Sequence, residues 1–156
     1  MTKTLQPGNK APAFEGVTED GPLSLKDLKG APFVLYFYPK DDTSGCTKQA
    51  CAFRDALPQF KKLGIAVYGV SRDSLTSHRK FADKYDLPFT LISDEDGGIC
   101  ESFGVWVEKS MYGRKYMGIE RTTYLIDKDG IISQVWRKVK IEGHVEEVLG
   151  ISKNIK

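Results

Sequence analysis

Cysteine and histidine carry the nucleophilic and soft-ligand groups of this chain, and they are few: Cys46, Cys51 and Cys100, with His78 and His144. Cys46 ends the run Tyr38-Pro39-Lys40-Asp41-Asp42-Thr43-Ser44-Gly45-Cys46, which leaves an apolar, strand-like stretch and enters a helical one. A cysteine at a helix start meets unpaired backbone N–H groups and the positive end of the helix dipole, and both favour thiolate over thiol. Thiols so placed ionise below their ordinary value of about 8.5, and a fall of about two units corresponds to about 2.7 kcal/mol in favour of the anion. Free cysteine is also among the residue types most often packed in a core, so position alone does not make Cys46 reactive. The turn-forming residues ahead of it shift the balance. They set it outside the carboxyl end of a central strand, where open α/β sheets gather their sites.

The elements that would hold this segment are legible in outline. Phe33–Tyr38 and Ile65–Ser71 are apolar on both alternations, as strands covered on both faces are. Phe89–Ser93, Thr122–Asp127 and Ile131–Arg137 read as further strands, the last two joined by Lys128-Asp129-Gly130, whose Asp-Gly pair signals a hairpin. Ser74–Tyr85 has helical spacing, with Asp73 as expected N-cap and His78 on its packing face. Thr47–Leu63 also reads as helix, but Pro58 removes a donor and predicts a kink or two short helices. Short helices are expected at Ile99–Phe103 and His144–Leu149, with His144 at the surface and Ser152–Lys156 frayed. The alternation predicts an α/β fold, a central mixed β-sheet flanked by helices.

Composition narrows the function classes. The 156 residues, 40% hydrophobic and 11% aromatic, suit one domain over residues 1–156. The 23 basic and 21 acidic residues are scattered, which gives no reason to expect nucleic acid as a partner. No apolar run approaches a bilayer's thickness, and Met1–Asn9 lacks a secretory pattern, so the expectation is a cytoplasmic protein with no membrane partner. No nucleotide, flavin or phosphate loop is seen, and no cofactor is expected.

Pro39, Thr43 and Cys46 stand as Pro-x-x-x-Thr-x-x-Cys, which matches the active-site motif of the peroxiredoxins. Tyr36–Cys51 (YFYPKDDTSGCTKQAC) resembles the bacterioferritin comigratory protein or peroxiredoxin Q branch. Ser93-Asp94-Glu95-Asp96 ahead of Cys100, Phe103-Gly104-Val105-Trp106, and Gly118–Arg121 running into Tyr124–Asp127 extend the likeness in order from Leu5 to Trp136. The resemblance implies a thioredoxin-like fold and a peroxidase that acts on hydrogen peroxide and organic hydroperoxides. It implies Cys46 as the peroxidatic thiolate, which becomes a sulfenic acid. Thr43 would turn its hydroxyl toward thiolate and peroxide, Arg121 would set a permanent cation beside the sulfur, and Pro39 would shape and shield the pocket. It further implies Cys51 as the resolving thiol, thioredoxin or glutaredoxin as electron donor, and a monomer.

Helix geometry bears on that pairing. Residues five apart on one helix point about 140° away from each other and rise about 7.5 Å, whereas a disulfide needs Cα atoms within about 7 Å. The first turns of the helix must therefore unwind when Cys46 joins Cys51. Cys100, among apolar neighbours, reads as a packed thiol and as the alternative partner. A thioredoxin-like reductase would want Cys-x-x-Cys, and a zinc module built from the three cysteines with His78 or His144 has no familiar spacing. A peroxide sensor or holdase would share the reactive cysteine without sustained turnover.

Overall fold

Five consecutive buried side chains, Phe33–Phe37, form the middle of the molecule. In a strand, alternate residues face opposite ways, so burial of all five requires a layer on each face. The computed structural model describes residues 5–155; residues 1–4, part of the segment read for a leader, and Lys156 lie outside it.

In chain order the elements are β1 (Glu15–Thr18), β2 (Gly21–Ser24), α1 (Leu25–Leu28), β3 (Phe33–Phe37), α2 (Ser44–Lys62), β4 (Ala66–Ser71), α3 (Leu75–Tyr85), β5 (Thr90–Ser93), α4 (Gly98–Ser102), β6 (Trp106–Met111), β7 (Arg114–Ile119), β8 (Thr122–Ile126), β9 (Ile132–Trp136) and α5 (His144–Ser152). Seven strands form one sheet in the order β2-β1-β5-β4-β3-β8-β9, and β6 and β7 form a separate hairpin. β3, β4 and β5 run parallel, and β8 and β9 extend the sheet antiparallel. Val34, Tyr36 and Tyr38 face a cluster built with α2, α3 and α5, while Phe33, Leu35 and Phe37 face one built with α1, α4 and Ile119 of β7. This is the mixed sheet flanked by helices that the thioredoxin-like expectation describes. Among the described residues no helix is long and apolar enough to cross a membrane.

Four local differences from expectation have physical causes. α2 starts at Ser44 rather than Thr47 and runs as one helix through Pro58. Pro58 is exposed, so its ring points to solvent, and burial of Leu57 and Phe60 on the other face contributes about 1.5–3 kcal/mol each against a proline cost of about 3 kcal/mol. Ser74 rather than Asp73 caps α3, its hydroxyl accepting from the Ser77 N–H. His144, expected at the surface, is buried at the start of α5. Ser152, where fraying was expected to begin, ends α5 with its hydroxyl donating to the Val148 carbonyl, and Ile155 packs against the α2 cluster.

Candidate active site

The Cys46 sulfur lies in the first turn of α2, whose N-cap is Thr43. Thr43 has an extended backbone (φ −93°, ψ 156°), and its carbonyl accepts the first helical bond from the Thr47 N–H at 2.8 Å. Its hydroxyl, expected to turn toward the sulfur, donates to the Lys40 carbonyl at 2.9 Å. That commits its proton and leaves the oxygen free to accept. Cys46 itself is buried, and Pro39 is exposed at the bend leaving β3.

Register explains how a residue far along the chain reaches this turn. Phe37 pairs with Thr122, so Arg121, the residue before β8, emerges beside Tyr38 at the end of β3 from which the Cys46 loop departs. Its Nη2 donates to Cys46 Sγ at 3.3 Å and its Nη1 to Gln49 Oε1 at 2.6 Å. A planar guanidinium can hold two such partners in fixed relation. Gln49 is fully buried, and its Nε2 has no partner. Sequence reasoning missed Gln49, although three residues after Cys46 on one helix is the spacing that puts two side chains on one face. Gly45 is what lets the guanidinium come so close. A Cβ there would sit 3.3 Å from Arg121 Nη2 and 2.9 Å from Ile141 Cδ1.

Further charges surround the sulfur. Lys109, on β6, has its ammonium pushed down by partial burial and by the Arg121 cation, with Glu120 and then the Cys46 sulfur acting the other way. The Tyr36 phenol, wholly buried beneath the site and without a hydrogen-bond partner, is pushed well up by burial and by Cys46. The site thus has a buried floor at Tyr36 and cations at Arg121 and Lys109, with the Glu120 carboxylate among them.

Cys51 is half-buried two turns along α2, and all three cysteines are free thiols. With α2 unbroken, Cys46 and Cys51 stay on different sides of it, about 140° apart by helix geometry. Cys100 is fully buried in the cluster on the opposite face of the sheet from Cys46. Burial and the Asp94 carboxylate push its thiol far above the ordinary range. The sheet separates it from Cys46, and the packed reading fits it.

The loop ahead of α2 is tied down by a buried polar network that the sequence did not announce. The Asp41 carboxylate accepts from the Tyr38 hydroxyl at 2.6 Å and the Ser77 hydroxyl at 2.7 Å, and shares a hydrogen bond with His78 Nδ1 at 2.7 Å. The Asp41 N–H donates to Asp73 Oδ2 at 2.8 Å, an oxygen that also accepts from the Ser71 hydroxyl. Next along the chain, Asp42 adopts the left-handed region (φ +57°), and its carboxylate accepts from Tyr85 and Lys84 at 2.6 and 2.9 Å. Among the described residues, Asp41, Asp73 and His78 are the group whose ligand atoms converge closely enough for a metal ion. Those atoms are engaged with one another and with hydroxyl donors, and the group includes no cysteine.

The AhpC/TSA family pattern matches residues 7–135. A Coxiella burnetii protein carrying the peroxiredoxin bcp name is 57% identical over 148 residues, 94% of this chain and 98% of its own. Peroxiredoxin Bcp of Bacillus subtilis is 47% identical over 97% of this chain and 98% of its own. Among solved structures, a Xylella fastidiosa peroxiredoxin Q variant superposes with a TM-score of 0.91 at 38% identity, covering 97% of each chain.

Proposed function

This chain belongs to the AhpC/TSA family of thiol peroxidases, and we propose that Cys46 is the attacking residue, Cys51 the resolving one and thioredoxin the reductant. The observation that carries the reading is the 3.3 Å contact from Arg121 to a sulfur in the first turn of α2. A guanidinium cation and the free N–H groups of that turn both stabilise negative charge on the sulfur. The thiolate attacks the near peroxide oxygen. An S–O bond forms, the O–O bond breaks, and the leaving oxygen takes a proton to depart as water or alcohol while Cys46 becomes a sulfenic acid. Arg121 faces the charge that develops as the O–O bond stretches. Thr43, its hydroxyl donating to the Lys40 carbonyl, offers its oxygen to the peroxide O–H, and Pro39 walls the entrance.

Resolution follows when the Cys51 thiol attacks the sulfenic sulfur, forming a disulfide and releasing water. Because the two residues diverge on a continuous α2, the first turns must unwind for the Cα atoms to come within about 7 Å. A dithiol protein then reduces the disulfide by exchange, thioredoxin or glutaredoxin being the donor the family resemblance implies. Organic hydroperoxides are included among the substrates because a solved relative at 40% identity, the bacterioferritin comigratory protein of Xanthomonas campestris, is described by its alkyl peroxide reduction activity. The chain is taken to act as a single-domain monomer in the cytoplasm.

A coupled assay with thioredoxin, its reductase and a panel of peroxides tests this. Cys46→Ser abolishes turnover; Cys51→Ser consumes about one equivalent of peroxide and then stops, since its sulfenic acid has no partner. A Cys46→Ser variant that kept the wild-type rate would end the reading. Turnover limited to a single event in the wild type would favour a peroxide sensor.

A further inference from the structure

We propose that His78 and Asp41 are positioning residues: their buried contact holds the Pro39–Thr43 loop fixed throughout the catalytic cycle, so that unwinding of α2 starts beyond it. The proposal rests on the assignment of Cys46 and Cys51 above.

Both ring nitrogens of His78 face acceptors, Nδ1 the Asp41 carboxylate at 2.7 Å and Nε2 the Ile92 carbonyl at 3.1 Å. The ring therefore donates from Nε2 to Ile92, and one proton lies between Nδ1 and Asp41. Both side chains are nearly inaccessible, 4% and 3% exposed, so removing either costs the other one buried hydrogen bond, leaving Asp41 with Tyr38 and Ser77 and His78 with Ile92. A contact of this kind resists opening.

The direction of the tethers decides what moves. Asp41 is bound to Tyr38 at the end of β3, to Asp73 after β4, and to Ser77 and His78 on α3; Asp42 is bound to Tyr85 and Lys84 on α3. None of these partners lies on α2. The first turns of α2 can thus come apart, losing the Thr47 N–H to Thr43 carbonyl bond first, while every bond to Asp41 and Asp42 survives. Thr43 is then returned to the same place after each reduction, because the residues before it never left.

Hydrogen exchange of the full-length protein, in dithiol and disulfide forms, reads this directly through the Asp41 amide, whose acceptor is the Asp73 carboxylate. In the wild type the Asp41 amide stays protected in both forms while the Thr47 amide loses protection in the disulfide. In His78→Gln the Asp41 amide exchanges freely in both forms. The peroxide rate constant falls on the order of 10- to 100-fold, the scale of a small misplacement of a reacting geometry, while alkylation of Cys46 by iodoacetamide is unchanged. Tyr38→Phe, which deletes one donor and keeps the ring, gives a smaller loss on the same readings if His78→Gln does not fold. The proposal fails if the Asp41 amide of the wild type is unprotected in the disulfide form. It also fails if peroxide and alkylation rates fall together, which would mark the network as general scaffolding. Absence of peroxidase activity would defeat the assignment of function instead, and exchange on a diamide-formed disulfide would still report on the tether.

Discussion

Arg121 and His144 show how side-chain chemistry is set by what each residue touches. Arg121 engages Gln49 at 2.6 Å and Cys46 at 3.3 Å with two nitrogens of one rigid group, a task for which a lysine ammonium has no fork. His144 is buried between Phe53 and Trp136, with Nε2 2.8 Å from the Thr123 hydroxyl. Burial, with the Arg121 cation adding, pushes its ring down from 6.5 to about 4. The folded protein thus keeps His144 neutral at pH values where the unfolded chain is protonated. This group's contribution to stability is whole above pH 6.5 and declines as pH falls from there toward about 4, with a slope of at most about 1.4 kcal/mol per pH unit. His144→Gln, which still offers Thr123 a polar partner, removes that slope. Thermal melts between these limits should show the variant less stable than wild type near neutrality, with the gap narrowing on acidification. Parallel curves would assign the acid sensitivity to other groups.

At the scale of elements, the proposed cycle places two demands on α2: to present Cys46 as a helix and to come apart so that Cys51 can reach it. Gly45 serves both. An alanine there would gain about 1 kcal/mol of helix propensity and would push its methyl toward Arg121 and Ile141. Gly45→Ala should therefore slow the peroxide step, by displacing the guanidinium, and slow disulfide formation, by stabilising the wound state. Stopped-flow fluorescence at varied peroxide concentration separates the two steps; an unchanged rate for both would show that Gly45 is not needed for space. Much of this architecture could be read from sequence because apolar runs such as FVLYF admit few other environments. The hairpins β1–β2 and β6–β7 could not. Their strands are short or largely exposed, as in RKYMGI, and where burial alternates, in β1, the buried positions are Gly16 and Thr18 while Val17 is exposed. The position of Cys46 at a helix start was legible from the turn-rich segment ahead of it. Gln49, Asp41 and the true setting of His144 were not, since a buried polar residue looks like a surface one until its partner is located.

Taken whole, the molecule is a sheet with two separate cores, and the cysteines are divided between them: Cys46 in one, Cys100 in the other. The parallel trio β3, β4 and β5 brings the loops after β3 and β4 to one end, and antiparallel β8 delivers Arg121 to that same end. Cys46 and Arg121 are 75 residues apart in sequence, so their contact waits on long-range strand pairing, among the slower steps of chain assembly. During synthesis or refolding, before β8 docks on β3, Cys46 lacks its cation even where α2 has begun to form, and should react with peroxide slowly. Peroxide added during refolding should then be consumed only as fast as the sheet closes, lagging recovery of helical signal; consumption that kept pace with early helix formation would show that α2 alone suffices. On the proposed chemistry, a chain still being made would be spared oxidation by the very compound it is later to destroy.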